Sequence, residues 1–189
     1  FGLPALGLLR DRAFVVFLLV AGGAAVLNQF YVVFAHKFLT DLGVPTPERV
    51  MTVGQVVEVG CMFAIPLLNP RRWMKGLMLL GLGGWVLRTG ALATLDPTLA
   101  VAVGVPMHGW SYTFFSIVAA TFIDREAPPG LRASAQGLVS FVTAGVGPLV
   151  GNVLVAAVVD AHRHAPDTDW RPVWVVPTVG SAALFVVFA

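Results

Sequence analysis

Charge is scarce in this sequence. Only 12% of its 189 residues are Asp, Glu, Lys or Arg, while 57% are hydrophobic and the mean hydropathy is +0.83. A soluble domain carries about 25% charged residues, so a water-facing surface over this whole length is excluded. Cysteine is limited to Cys61, inside an apolar run. That excludes a disulfide framework within the chain and a paired-thiol redox motif, and leaves Cys61 as a small buried hydrophobe. No His, Cys and Asp residues stand at metal-ligand spacing, and no Gly-rich phosphate loop follows a strand. Gly109-Trp110-Ser111-Tyr112 is not the G-x-S-x-G of a hydrolase. No catalytic residue, metal or cofactor is expected. The net charge is only +2 and its basic residues sit in short loops, which argues against nucleic acid as a partner. The chain opens on Phe1 with no pattern of a cleaved signal, and its last apolar run ends without a polar flank, so it reads as cut at both ends.

What is abundant is long apolar sequence. Charged residues and Pro/Gly punctuation divide it into runs at about 13–35, 50–68, 73–95, 98–122, 133–159 and 172–189. At 1.5 Å per residue, such runs can cross a hydrocarbon core of about 30 Å. The expectation is an all-α membrane protein of six transmembrane helices, with residues 1–189 forming one six-helix bundle. Breakers mark the connections: Pro45 and Pro47, Asn69-Pro70, Asp96-Pro97, and Pro128-Pro129-Gly130. Arg10, Arg12, Arg71, Arg72, Lys75, Arg125 and Arg132 fall on the side of the N-terminus, against Lys37, Arg49, Arg163 and Arg171 on the other. That bias predicts a cytoplasmic N-terminus. Glycines within the runs suit close helix packing, and Pro66, Pro106, Pro148 and Pro177 suit bends.

Three ionisable residues lie deep inside apolar runs: Glu58, Arg88 and His108. A charge at the centre of a membrane helix costs about 2.5 to 3.5 kcal/mol or more, so such residues face a partner or a wet cavity. Gln55 and Glu58 are three apart, on one helical face. Glu58 is suited to carry a proton or to bind a polar solute, or alternatively to pin two helices together. Arg88 needs a counter-charge or a ring of acceptors; it either pairs with Glu58, as a structural intramembrane charge, or serves a partner outside the chain. His108, Ser111, Tyr112 and Phe115 recur at helical spacing and combine polar tips with aromatic area, while Asn28 and Gln29 interrupt the first run.

Several ordered motifs carry a resemblance over nearly the whole chain. They are Leu131-Arg132-Ala133-Ser134-Ala135-Gln136-Gly137, Trp85-Val86-Leu87-Arg88, Gln55-Val56-Val57-Glu58, and Asp169-Trp170 followed by Val173-Trp174. Together they resemble the C-terminal half of bacterial nucleoside:proton symporters of the major facilitator superfamily. The resemblance implies helices seven to twelve of a twelve-helix fold in the inner membrane, with a missing N-terminal six-helix half as partner. It implies a nucleoside and a proton as cargo. Gln29, Gln55 and Glu58 match substrate-contact positions, Tyr112 an aromatic site position with Phe115 beside it, and Glu58 is left as the proton-coupling candidate. Thr113 stands where the family pattern has an acid, and Val32 where it tends to a polar residue. A sugar or glycoside transporter of the same fold, or a non-transporting membrane scaffold, are the competing expectations.

Overall fold

A computed structural model describes residues 3–164 and 167–189. Phe1 and the side chain of Arg71, both weighed above, lie outside what is described. Among the described residues the chain forms a short 3-10 helix, Leu3–Arg10, followed by six long helical rods. The first, Arg12–Asp41, is opened by Asp11, whose carboxylate accepts from the Ala13 amide at 2.8 Å and so satisfies one orphan N–H of the first turn. It runs six residues beyond its apolar stretch. Lys37 and Asp41 pair at 2.8 Å across one turn, and the Trp170 indole N–H donates to Asp41 at 2.9 Å, so the polar last turns are held as helix.

The second rod, Pro47–Ala64, continues as a 3-10 turn over Ile65–Leu68 and stops at Asn69, whose φ of 47° is left-handed. The third is Pro70–Ala93, bent at Trp73. The fourth covers 97–126 and is not one regular helix: π-turns at Ala100–Gly104 and Thr113–Ile117 divide its α-helical pieces. The fifth joins Arg132–Ser140 to Gly147–Ala161 through a third π-turn at Phe141–Val146. The sixth is Trp170–Phe188, capped by the Asp169 carboxylate. A two-residue hairpin, Arg163–His164 against Asp167–Thr168, is a small departure from the all-helical expectation. Among the described residues, five rods are long and apolar enough to cross a membrane, the fifth counted from Pro129 to Ala161 through its π-turn; the fourth is not among them.

The third rod packs most extensively on the fourth and then on the sixth, the first packs on the fifth and sixth, and the second on the fourth. Missing side chains allow the closest approaches. A Cβ on Gly109 would strike the backbone of Gly54 and Glu58, and one on Gly81 would lie 2.5 Å from the Phe115 nitrogen. Two apolar clusters result. One holds Phe14, Phe17, Met78, Trp85, Phe115 and Ile123. The other holds Phe30, Phe38, Leu92, Val105, Trp170 and Trp174. Along the first, third and fourth rods the change from one cluster to the other brackets Asn28, Arg88 and His108. A polar layer is thus sealed between two apolar ones.

Candidate functional site

The small side chains of Ala21, Ala24 and Ala25 on the first rod, and Ala119 and Ala120 on the fourth, leave room for a cavity of about 370 Å³. It lies between the first, third, fourth and fifth rods. Trp85 and Phe115 form an apolar wall, their rings 5.2 Å apart and edge to face at 61°. Asn28, Gln29, Tyr112, Ser116, Gln136, Ser140 and Thr143 supply the polar edge. An aromatic wall with several amides and hydroxyls suits a flat, polar, uncharged solute.

The residues expected at a site divide between two places. Gln29, Tyr112 and Phe115 line this cavity; the Tyr112 side chain is 42% exposed and Phe115 is buried. Gln29 lies across Gly151 of the fifth rod, where an added Cβ would come within 2.6 Å of its Cγ. Gln55 and Glu58 do not line it. They sit on the second rod, Gln55 exposed and Glu58 half-buried, beside the point where Gly109 of the fourth rod meets the Glu58 backbone. The Thr113 hydroxyl, fully buried, donates to the Glu58 carbonyl oxygen at 3.3 Å.

Arg88 does not pair with Glu58. Neither residue belongs to an ion pair among the described residues. Arg88 is 1% exposed and its two terminal nitrogens are bonded by neutral groups, Nη2 donating to Asn28 Oδ1 at 3.0 Å and Nη1 to His108 Nδ1 at 2.9 Å, while its buried Nε–H has no partner among the described residues. Because a guanidinium only donates, His108 accepts through Nδ1 and is the neutral tautomer protonated on Nε2. The guanidinium carbon stands 4.7 Å from the Tyr31 ring centre, and His108 stacks on the same ring at 4.6 Å and 15°. The single face expected for His108, Ser111, Tyr112 and Phe115 is therefore not kept. His108 turns to Arg88, Ser111 is buried and donates to the Met107 carbonyl, and Tyr112 and Phe115 reach the cavity. His108, Ser111 and Tyr112 belong to one α-helical piece, Pro106–Tyr112, where their spread of about 100° around the axis is enough to meet different neighbours; the π-turn beginning at Thr113 changes the register only of Phe115.

Sequence reasoning missed the fifth rod's contribution. Gln136, Ser140 and Thr143 recur at i, i+4 and i+7, a spacing that does mark one helical face. Gln136 stands near the start of its apolar run, where the sequence marks it only as part of a family motif and not as a site residue. In the fold its amide nitrogen donates to the Ala120 carbonyl at 3.0 Å and to Asp124 Oδ1 at 3.3 Å, joining the fourth and fifth rods beside the cavity.

The family described as Nucleoside H+ symporter has a sequence model that matches residues 1–189. The chain belongs to this family. Among curated members, it is 30% identical to the xanthosine permease of Escherichia coli over 99% of its own length and 48% of the permease. It is 28% identical to the nucleoside permease NupG of the same organism, over 93% of its length and 45% of NupG. A crystal structure of the nucleoside transporter NupG superimposes on it with a TM-score of 0.88 at 26% identity, covering 100% of this chain and 50% of that one. A mutant of NupG gives 0.91 over 99% and 50%. The chain spans about half the length of the relatives it matches. It is a multi-pass membrane protein with the all-α architecture of one half of a major facilitator-type transporter, and these relatives are transporters, not enzymes.

Proposed function

We propose that the protein of which this chain is a half carries nucleosides across the inner membrane together with protons. The observation that carries the reading is the 370 Å³ cavity, walled by Trp85 and Phe115 and edged by Gln29 and Tyr112. Ligand pockets run from about 300 to 1,000 Å³, so the space admits a nucleobase against an aromatic wall with amides at its edge. Gln55 and Glu58, on the second rod, are contacts for the part of the solute that lies toward the N-terminal six-helix half. Glu58 is the proton-coupling group: Thr113 has no titratable side chain, and its hydroxyl is engaged by the Glu58 backbone. Arg88 is structural, a buried charge held by Asn28, His108 and Tyr31. The N-terminus of the chain is cytoplasmic, supported by the basic excess on that side.

Uptake of labelled uridine and adenosine by the full-length protein in proteoliposomes, with and without an inward proton gradient, tests both parts. Gradient-stimulated uptake of either is expected. Uptake indifferent to the gradient removes the coupling, and uptake of glucose but of neither nucleoside removes the substrate assignment in favour of a sugar.

A further inference from the structure

Arg88 does more than fill the space between two apolar layers, because one of its partners also lines the cavity. The guanidinium has no acceptor atom, so the Asn28 atom at 3.0 Å from Nη2 is the carbonyl oxygen, and the amide cannot flip without setting N–H against N–H. Arg88 cannot turn away to release it. Its Nη1 is bonded to His108 at 2.9 Å, its flat face lies on Tyr31 at 4.7 Å, and it is 1% exposed. The Asn28 Nδ2 group is thereby left as the free end of the amide. It has no protein acceptor among the described residues, and Asn28 belongs to the cavity wall. Gln29 beside it has no such restraint and can offer either end of its amide.

We propose that Asn28 is a solute-contact residue of fixed polarity: it reads a hydrogen-bond acceptor on the solute, and Arg88 is the positioning residue that aims it. The chemistry recognised is a carbonyl oxygen, a ring nitrogen or a hydroxyl oxygen. The proposal rests on the cavity being the solute site, and on the nucleoside reading only for its first choice of probe.

Asn28→Asp separates this role from mere packing. The carboxylate gives the buried guanidinium a counter-charge, so the variant melts at or above the parent. The oxygen that replaces Nδ2 can only accept, so an acceptor on the solute meets repulsion where it had a donor. The experiment uses the full-length protein in detergent, with melting temperature and the Kd for uridine, adenosine and glucose measured for parent and variant. The expected result is an unchanged or raised melting temperature, with the Kd of whichever probe the parent binds raised tenfold or more. Undiminished affinity in a well-folded Asn28→Asp variant overturns the proposal, as does a lowered melting temperature, which contradicts the Arg88 contact. Arg88→Lys keeps a donor against Asn28 and retains affinity better than Arg88→Met; equal Kd values for those two overturn the positioning role. A parent that binds glucose and neither nucleoside overturns the nucleoside reading, and the Asn28 comparison is then decided with glucose. A parent that binds none of the three overturns both.

Discussion

Gly81→Ala is the sharpest test of the packing that builds the cavity wall. Its Cβ would lie 2.5 Å from the Phe115 nitrogen, 2.8 Å from Phe115 Cβ and 2.9 Å from the Phe114 carbonyl carbon. Ordinary contact begins at 3.4 Å, so the fourth rod has to retreat by 3.4 − 2.5, or about 0.9 Å. Two of the three atoms are backbone, and no change of rotamer relieves the clash. Overpacking of this kind costs about 1–3 kcal/mol, against which alanine's better helix propensity returns about 1 kcal/mol. The net expectation is a loss of up to about 2 kcal/mol. Gly83, two residues on in the same rod, is the control: its added Cβ would meet only Phe185 Cε2 at 3.7 Å, so Gly83→Ala is neutral or gains up to about 1 kcal/mol. Because Phe115 is also cavity wall, Gly81→Ala weakens uridine binding as well, and Gly83→Ala does not. Thermal melting of the full-length protein with and without uridine reads both effects. A Gly81→Ala variant that melts as high as Gly83→Ala and binds uridine equally well would falsify the close approach of these two rods.

Three further substitutions probe the polar layer and the coupling. The Tyr31 hydroxyl is buried without a partner among the described residues, while its ring holds Arg88 and His108; Tyr31→Phe keeps the ring, and its stability in melting experiments is expected to be unchanged or raised, a loss of more than about 1 kcal/mol counting against the geometry. Thr113→Val removes the bond to the Glu58 carbonyl and is expected to cost about 0.5–1.5 kcal/mol in melting experiments, with the proton dependence of uridine uptake intact. Glu58→Gln breaks no ion pair among the described residues. It is expected to stay within about 0.5 kcal/mol of the parent in stability while abolishing stimulation of uptake by a proton gradient. Persistent stimulation would move the coupling group to another residue.

The architecture was legible because the bilayer writes it into composition: apolar runs of membrane-spanning length, separated by loops that hold nearly all the charge, admit few alternatives to a helical bundle. Boundaries were less legible where helix outlasts apolarity. His36 to Asp41 has four polar residues in six and is yet helical, held by Phe38 and Leu39 in the apolar core, by a Lys37–Asp41 pair and by Trp170, a partner 129 residues away. Side-chain direction in the fourth rod was legible only in part: Tyr112 and Phe115 reach the cavity as their spacing implies, while His108 and Ser111 do not. A period of 3.6 residues fixes a broad face, not which neighbouring rod each side chain meets, and the π-turns at Ala100–Gly104 and Thr113–Ile117 interrupt the ladder on both sides of the Pro106–Tyr112 piece.

Arg88 shows why half of a buried interaction can be read from sequence and the other half cannot. Its depth in an apolar run states the need for a partner, and Glu58 is the obvious acid to supply one. The fold meets the need differently, with an amide oxygen from 60 residues away, an imidazole nitrogen from 20 residues away and the face of a tyrosine. Each of these is a dipole or a quadrupole, so each stabilises the charge by orientation without cancelling it. Orientation is therefore what the charge imposes in return: every group around Arg88 has to present its negative end inward. For His108 and Tyr31 the consequence stays inside the core. For Asn28 it does not, since Asn28 also lines the cavity. Had a carboxylate neutralised Arg88, the amide beside it would be free to rotate, and the wall would carry no fixed polarity.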